Sequence, residues 1–97
     1  MRKKKLRVMW DYGAENPVWN RHGGIGLESL GLSTELCAAL RRWSAALTEE
    51  MWEVIQTDDE ELTAEARRLD DEGRRLAERV QAELGNRYAI RYVGVDD

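Results

Sequence analysis

The fold is decided by residues 33–84, which read STELCAALRRWSAALTEEMWEVIQTDDEELTAEARRLDDEGRRLAERVQAEL. Apolar residues recur here every three or four positions, which is the spacing of one face of an α-helix. The pattern predicts two helices, over 33–56 and 62–84, that pack side by side. The stripe of the first helix comprises Leu36, Leu40, Trp43, Leu47, Met51 and Val54. The stripe of the second comprises Leu62, Ala66, Leu69, Gly73, Leu76, Val80 and Leu84.

Residues typical of helix ends flank both stripes. Ser33 and Thr63 are hydroxyl residues that can accept a hydrogen bond from the first amides of a helix. Gly85 follows the second stripe, at the position where a glycine commonly ends a helix. The acidic corner at 57–61 predicts a hairpin of antiparallel helices, in which positions whose numbers sum to about 117 face each other. This arithmetic places Trp43 opposite Gly73.

Residues 6–12 and 87–93 alternate apolar and polar side chains, which predicts a strand on each side of the hairpin. The segment between the first strand and the first helix, 13–32, contains Pro17 and five of the eight glycines, so we expect a glycine-rich loop. Val18–Trp19 within it has the residue types of a short strand. The expected fold class is α+β, with the order β-loop-α-α-β and an antiparallel helical hairpin packed on a small sheet.

We expect one domain over 1–97, with a basic tail at 1–5. Two strands alone make a marginal sheet. Either the glycine-rich loop adds a strand, or two copies of the chain pair through their sheets. The second possibility predicts a homodimer.

The composition is that of a folded and highly charged domain, with 42% hydrophobic and 35% charged residues among 97. No apolar run approaches the ~20 residues that a membrane span needs, and the basic start is not followed by the apolar stretch of a signal peptide. The single cysteine excludes an internal disulfide and is typical of the cytoplasm. A net charge of −4 argues against a dedicated nucleic-acid binder.

Motifs for catalysis and for cofactor binding are missing from the sequence. It contains no dinucleotide fingerprint, no P-loop and no nucleophile elbow. Cys37 and His22 are the only thiol and imidazole, too few for a closed zinc site. We therefore expect no cofactor, no metal and no enzymatic activity. Two alternatives stay open: a small enzyme that uses Asp11, Glu15 and His22, and a small nucleic-acid-associated regulator that uses the basic N-terminus.

Tryptophan outside the core is a common anchor of protein–protein interfaces. Trp19 lies in the predicted loop and Trp52 lies off the stripe of the first helix. Acidic residues near Trp52 would steer the chain toward a basic protein partner. We therefore predict that partner contacts come from Trp19 and Trp52 together with Glu49, Glu53, Asp58, Asp59, Glu60 and Glu61.

Several short motifs carry a resemblance to other proteins. They are RVMWDYG at 7–13, PVW at 17–19, LSTEL at 32–36, GRRLA at 73–77 and ELG at 83–85. Together they resemble a group of short, uncharacterised proteins from high-GC bacteria that share this layout over almost the whole chain. Some small acidic proteins of that general kind are immunity proteins encoded beside secreted toxins. The function we expect is that of a non-enzymatic protein-binding module, an immunity-type inhibitor of a bacterial toxin.

Overall fold

A computed structural model describes residues 3–11, 16–57 and 62–95 of the chain. Two long helices follow a group of short strands, and one further strand closes the fold. The strands and helices are β1 (Lys4–Met9), β2 (Val18–Asn20), β3 (Gly23–Gly24), α1 (Thr34–Thr57), α2 (Ala64–Leu84) and β4 (Tyr88–Val93). Single turns of 3-10 helix cover Leu27–Leu30 and Gly85–Arg87.

The strands form one four-stranded sheet in the order β3-β2-β1-β4. β1 pairs antiparallel with β2 and parallel with β4, and β2 pairs antiparallel with β3. Leu6 and Val8 of β1 and Val18 of β2 point into the core that the helices cover, and each is at most 3% exposed. The predicted α+β class, with a helical hairpin packed on a small sheet, is confirmed.

The hairpin is closed around Gly73, as the arithmetic of the corner predicts. An added Cβ at Gly73 would lie 2.5 Å from Cζ2 of Trp43 and 2.7 Å from Cε1 of Tyr92. The indole N–H of Trp43 donates to the carbonyl of Leu69 at 2.6 Å, so the ring stays bonded although it is only 1% exposed. The bare backbone at Gly73 therefore makes the room that the two rings fill.

Both predicted helix caps are present. The Ser33 hydroxyl accepts from the amide of Leu36 at 3.2 Å, and the Thr63 hydroxyl accepts from the amide of Ala66 at 3.0 Å. Gly85 ends α2 with φ +67°, in the region that favours glycine. These caps fix where the helices begin and end, and hence where β4 can start.

The described part of the predicted glycine-rich loop, residues 16–32, contains β2, β3 and a turn of 3-10 helix, so the loop does add strands to the sheet, and β2 lies where Val18–Trp19 has the residue types of a short strand. Pro17, Val18 and Leu27 are fully buried, so apolar packing holds these short elements in place. β1 spans Lys4–Met9 rather than 6–12, and two lysines of the predicted tail pair with β4 through Lys4↔Tyr88 and Lys5↔Ala89. Tyr12 and Gly13 lie outside the described residues.

The reason for expecting a homodimer was a sheet of only two strands. The segment after β1 supplies the missing strands within one chain, so that reason no longer applies. Self-association stays a prediction that a mass measurement by light scattering checks.

Candidate partner-binding surface

The last turns of α1 extend beyond the sheet. The 24 residues of α1 span about 36 Å, whereas six-residue strands such as β1 and β4 span about 20 Å. Trp10, one residue past the end of β1, donates its indole N–H to Thr48 Oγ1 at 2.9 Å. Because α1 runs nine residues further, from Thr48 to Thr57, its C-terminal end projects past the carboxyl end of β1.

Trp52 lies on this projecting end and is 47% exposed, the one large hydrophobic side chain among the described residues that reaches such exposure. Nine residues separate it from Trp43, which corresponds to about two and a half helical turns. Trp52 therefore faces away from the buried seam. Glu49, also exposed, lies on the same side of α1, three residues earlier. We call the surface formed by Glu49 and Trp52 the Trp52 surface.

The other acidic residues near Trp52 comprise Glu50, which was not predicted to bind the partner, and the predicted residues Glu53 and 58–61. Glu50 is half-buried and accepts a hydrogen bond from the Thr63 hydroxyl, so it joins the end of α1 to the start of α2. The side chain of Glu53 and the acidic residues 58–61 lie outside the described part of the chain.

Trp19 occupies the other layer of the molecule. It is half-buried on β2, and its indole N–H donates to the carbonyl of Met9 at 3.2 Å. Trp19 pairs with Arg7, whereas the neighbouring pair Val8↔Val18 is buried under the helices. Because successive residues of a strand point to opposite faces, Trp19 faces away from the helices. The structure thus does not bring Trp19 and Trp52 onto one surface.

Two of the three residues considered for an enzyme alternative, Asp11 and His22, lie in exposed positions. His22 sits in the turn between β2 and β3, where its Nε2 accepts from Nε of Arg21 at 3.2 Å and its amide donates to Oδ1 of Asn20 at 2.7 Å. Asp11 is exposed two residues after β1, and Glu15 lies outside the described residues. Neither position shows a polar group held in a water-excluding pocket.

Cys37 lies elsewhere, in the first turn of α1. Its side chain is buried, and its thiol donates to the carbonyl of Leu32 at 3.8 Å. Burial raises the pKa of the Cys37 thiol, which keeps it protonated and suits a core position better than a nucleophile. Within the described ranges, no group of three or more His, Cys, Asp or Glu residues is placed to hold a metal ion.

The outer edge of β4 is covered by a side chain of α2, a contact that the sequence did not predict. The carboxamide of Gln81 on α2 donates to the carbonyl of Tyr88 at 2.9 Å and accepts from the amide of Ile90 at 3.0 Å. It thereby takes the place that the backbone N–H and C=O of one residue in a further parallel strand would occupy. Helix periodicity gives no signal for such a contact, because Gln81 reads as an ordinary surface residue of α2.

Comparison with protein families places these features in a known group. A family model described as Serratia CdiI immunity protein-like matches residues 4–95. The chain belongs to that family. A search of curated proteins finds no match. No helix in the described part of the chain has the length and apolar character that a membrane crossing requires. Membership in the immunity family bears out the part of the sequence resemblance that pointed to immunity proteins.

Proposed function

We propose that this chain is the immunity protein of a contact-dependent inhibition system, and that it acts in the cytoplasm by binding and blocking the toxin domain of that system. The observation that carries the proposal is the match to an immunity family over residues 4–95. Immunity proteins of this family are normally non-enzymatic, which agrees with exposed and scattered positions for Asp11 and His22.

The Trp52 surface is our candidate for the toxin contact. A large aromatic ring on a projecting helix end can enter a pocket of a partner, and tryptophan is among the residues that most often dominate binding energy. Glu49 adds negative charge one turn away, which favours a basic toxin surface and speeds the encounter. Glu53 and the acidic residues 58–61 belong to the same stretch of sequence and are proposed to extend this negative region.

The test uses the toxin domain of the same contact-dependent inhibition system. Co-expression of the wild-type chain should protect cells from that toxin. We expect Trp52→Ala to weaken binding by about 30-fold or more, since a hot-spot residue contributes about 2 kcal/mol or more. Glu49→Lys should slow association, and this effect should shrink as salt is added.

The matched control is Glu35→Lys, which reverses an exposed charge at the opposite end of the same helix. Circular dichroism checks that this variant folds, and the folded variant should bind the toxin with unchanged affinity. Loss of protection with Glu35→Lys but not with Trp52→Ala would place the contact elsewhere. Failure of the wild-type chain to protect would contradict the function itself.

A further inference from the structure

The charged strand residues that point away from the helices are all cations. In β1, Leu6 and Val8 are buried under the hairpin, so Lys5 and Arg7 point to the other face, where both are exposed. The register Arg7↔Arg91 and Arg7↔Trp19 puts Arg91 and Trp19 on that face as well. No described helix packs there. We call this surface, formed by Lys5, Arg7, Trp19 and Arg91, the open sheet face.

Charge is segregated between the two layers of the molecule. In the sheet layer, taken as residues 3–11, 16–24 and 85–95, seven lysines and arginines stand against a single carboxylate, Asp11. The helices α1 and α2 carry ten carboxylates against seven arginines. The net charge of −4 is a sum over both layers, so it does not show that the sheet layer is positive. For that reason the composition alone argued against a polyanionic ligand.

The arrangement on the open sheet face costs folding energy. Arg7 and Arg91 lie directly opposite each other on neighbouring strands, and like charges in that position destabilise a sheet. Among the described residues, no carboxylate forms an ion pair with Lys5, Arg7 or Arg91. The Arg7 guanidinium instead donates to the backbone carbonyl of Asn20 at 3.3 Å. Within the described ranges this positive charge has no carboxylate partner, so an anionic ligand would relieve the repulsion.

Trp19 gives the open sheet face an aromatic ring among these cations. Its indole N–H is already bonded to Met9, so what the ring offers a ligand is contact with its apolar surface. A flat sheet surface that combines cations with an aromatic ring is the arrangement by which proteins bind unpaired nucleotides, through phosphate contacts and base stacking. A duplex fits less well, because no helix or loop of the described chain projects from this face to enter a groove.

We propose that the open sheet face binds single-stranded nucleic acid, with Lys5, Arg7 and Arg91 on the phosphates and Trp19 stacked on a base. This is a second activity, on the face opposite the helical layer that carries the Trp52 surface, and it does not depend on the toxin contact. The earlier alternative of a nucleic-acid-associated regulator relied on the basic N-terminus, whereas this proposal relies on a folded surface of the sheet.

The test is a fluorescence anisotropy titration with labelled oligouridine and oligothymidine of ~12 nucleotides, a length within the range that one binding fold covers. Contact with three phosphates predicts that raising salt from about 50 to about 200 mM weakens binding by about 20-fold. Arg7→Glu with Arg91→Glu should abolish binding, and Trp19→Ala should weaken it by roughly fivefold or more through lost stacking.

Arg42→Glu is the matched control, because it reverses an exposed arginine on α1. It should bind the oligonucleotides as the wild-type chain does. If a reversed sheet variant fails to fold, Arg7→Gln with Arg91→Gln replaces it, and this pair relieves rather than adds repulsion. Parallel titrations use oligoglutamate and vesicles rich in phosphatidylserine. The proposal is overturned if the wild-type chain binds neither oligonucleotide at low salt, if Arg42→Glu and the sheet variants lose affinity alike, or if only oligoglutamate or vesicles bind.

Discussion

At the scale of single residues, Gly73 determines how closely the two helices approach. Glycine in a helix interior costs about 1 kcal/mol relative to alanine, so another contribution must compensate for it. Trp43 and Tyr92 occupy the space beside its Cα, with ring centroids 6.2 Å apart and planes inclined at 59°. Asp70 accepts a hydrogen bond from the Tyr92 hydroxyl at 2.6 Å and fixes the second ring. The glycine is thus maintained by the aromatic packing around it.

Gly73→Ala should therefore destabilise the protein although alanine is the better helix former. The added Cβ would lie 2.5 Å from Trp43 and 2.7 Å from Tyr92, and overpacking of this kind costs about 1–3 kcal/mol, more than the propensity gain. Chemical denaturation measures the change. Gly26→Ala is the control, because its Cβ would meet only the Ser29 hydroxyl at 3.7 Å and its φ of −61° suits alanine. Equal stability of both variants would contradict the packing described for Gly73.

At the scale of elements, side chains from α2 protect the exposed edge of the sheet. Gln81 bonds both Tyr88 and Ile90 on the outer side of β4, and Asp70 accepts from the amide of Val95 at 3.2 Å. An open strand edge is a template for pairing with another chain, and natural sheets are modified to prevent this. Here a single carboxamide occupies the position where a second sheet would begin to add.

Gln81→Ala should open that edge. We expect a loss of about 1 kcal/mol for hydrogen bonds given up to water, together with more self-association than the wild-type chain shows at the same concentration. Light scattering across a concentration series measures the second effect. Gln56→Ala removes an exposed glutamine from α1 instead and should leave the mass unchanged. No difference in mass between the two variants would show that Gln81 does not guard the edge.

Two carboxylates with lowered pKa values, Glu83 and Glu28, make the stability of the protein depend on pH. The Ser33 amide and hydroxyl both donate to the Glu83 carboxylate at 2.6 Å, which lowers the pKa of Glu83. The Arg41 guanidinium, bound to both oxygens of Glu28, lowers the pKa of that carboxyl to about 2. A lowered pKa in the folded state stabilises the protein above the unfolded value and is lost as the carboxylate is protonated.

Stability should accordingly fall as the pH drops from 4.5, the ordinary value for glutamate, toward about 2. Thermal melts across this range measure the fall. Glu83→Gln should make stability fall less steeply with decreasing pH, because an amide carries no charge to lose. An unchanged dependence of stability on pH would mean that the contact of Glu83 with Ser33 contributes nothing. Glu35→Gln, at an exposed position where no ion pair or carboxylate hydrogen bond is described, is the comparison.

At the scale of the whole molecule, local features were predictable and long-range ones were not. The caps at Ser33 and Thr63 and the meeting of Trp43 with Gly73 follow from spacing along single helices and a known corner. The residue types of Val18–Trp19 indicated a short strand where β2 lies, but β3 could not be predicted, because two glycines carry almost no pattern. The stability of both strands comes from burial of Pro17 and Leu27, which depends on the assembled core.

Of the two candidate binding surfaces, one could be predicted from the sequence and the other could not. Trp52 could be identified as a surface residue because nine positions from Trp43 turn it outward on a regular helix. The open sheet face could not be found from sequence, since it depends on the parallel pairing of β4 with β1, which brings Arg91 opposite Arg7. Residues 84 positions apart meet only once the strand order is fixed. Charge totals average over both layers and conceal the separation between them.

We propose that this chain acts by binding a toxin domain, and isothermal titration calorimetry with the purified toxin domain of its contact-dependent inhibition system measures that binding. We predict a one-to-one complex with a free energy of binding more favourable than about −8 kcal/mol, which corresponds to submicromolar affinity. If a folded chain and an active toxin domain give no heat of binding in the calorimeter, the proposed toxin binding is wrong.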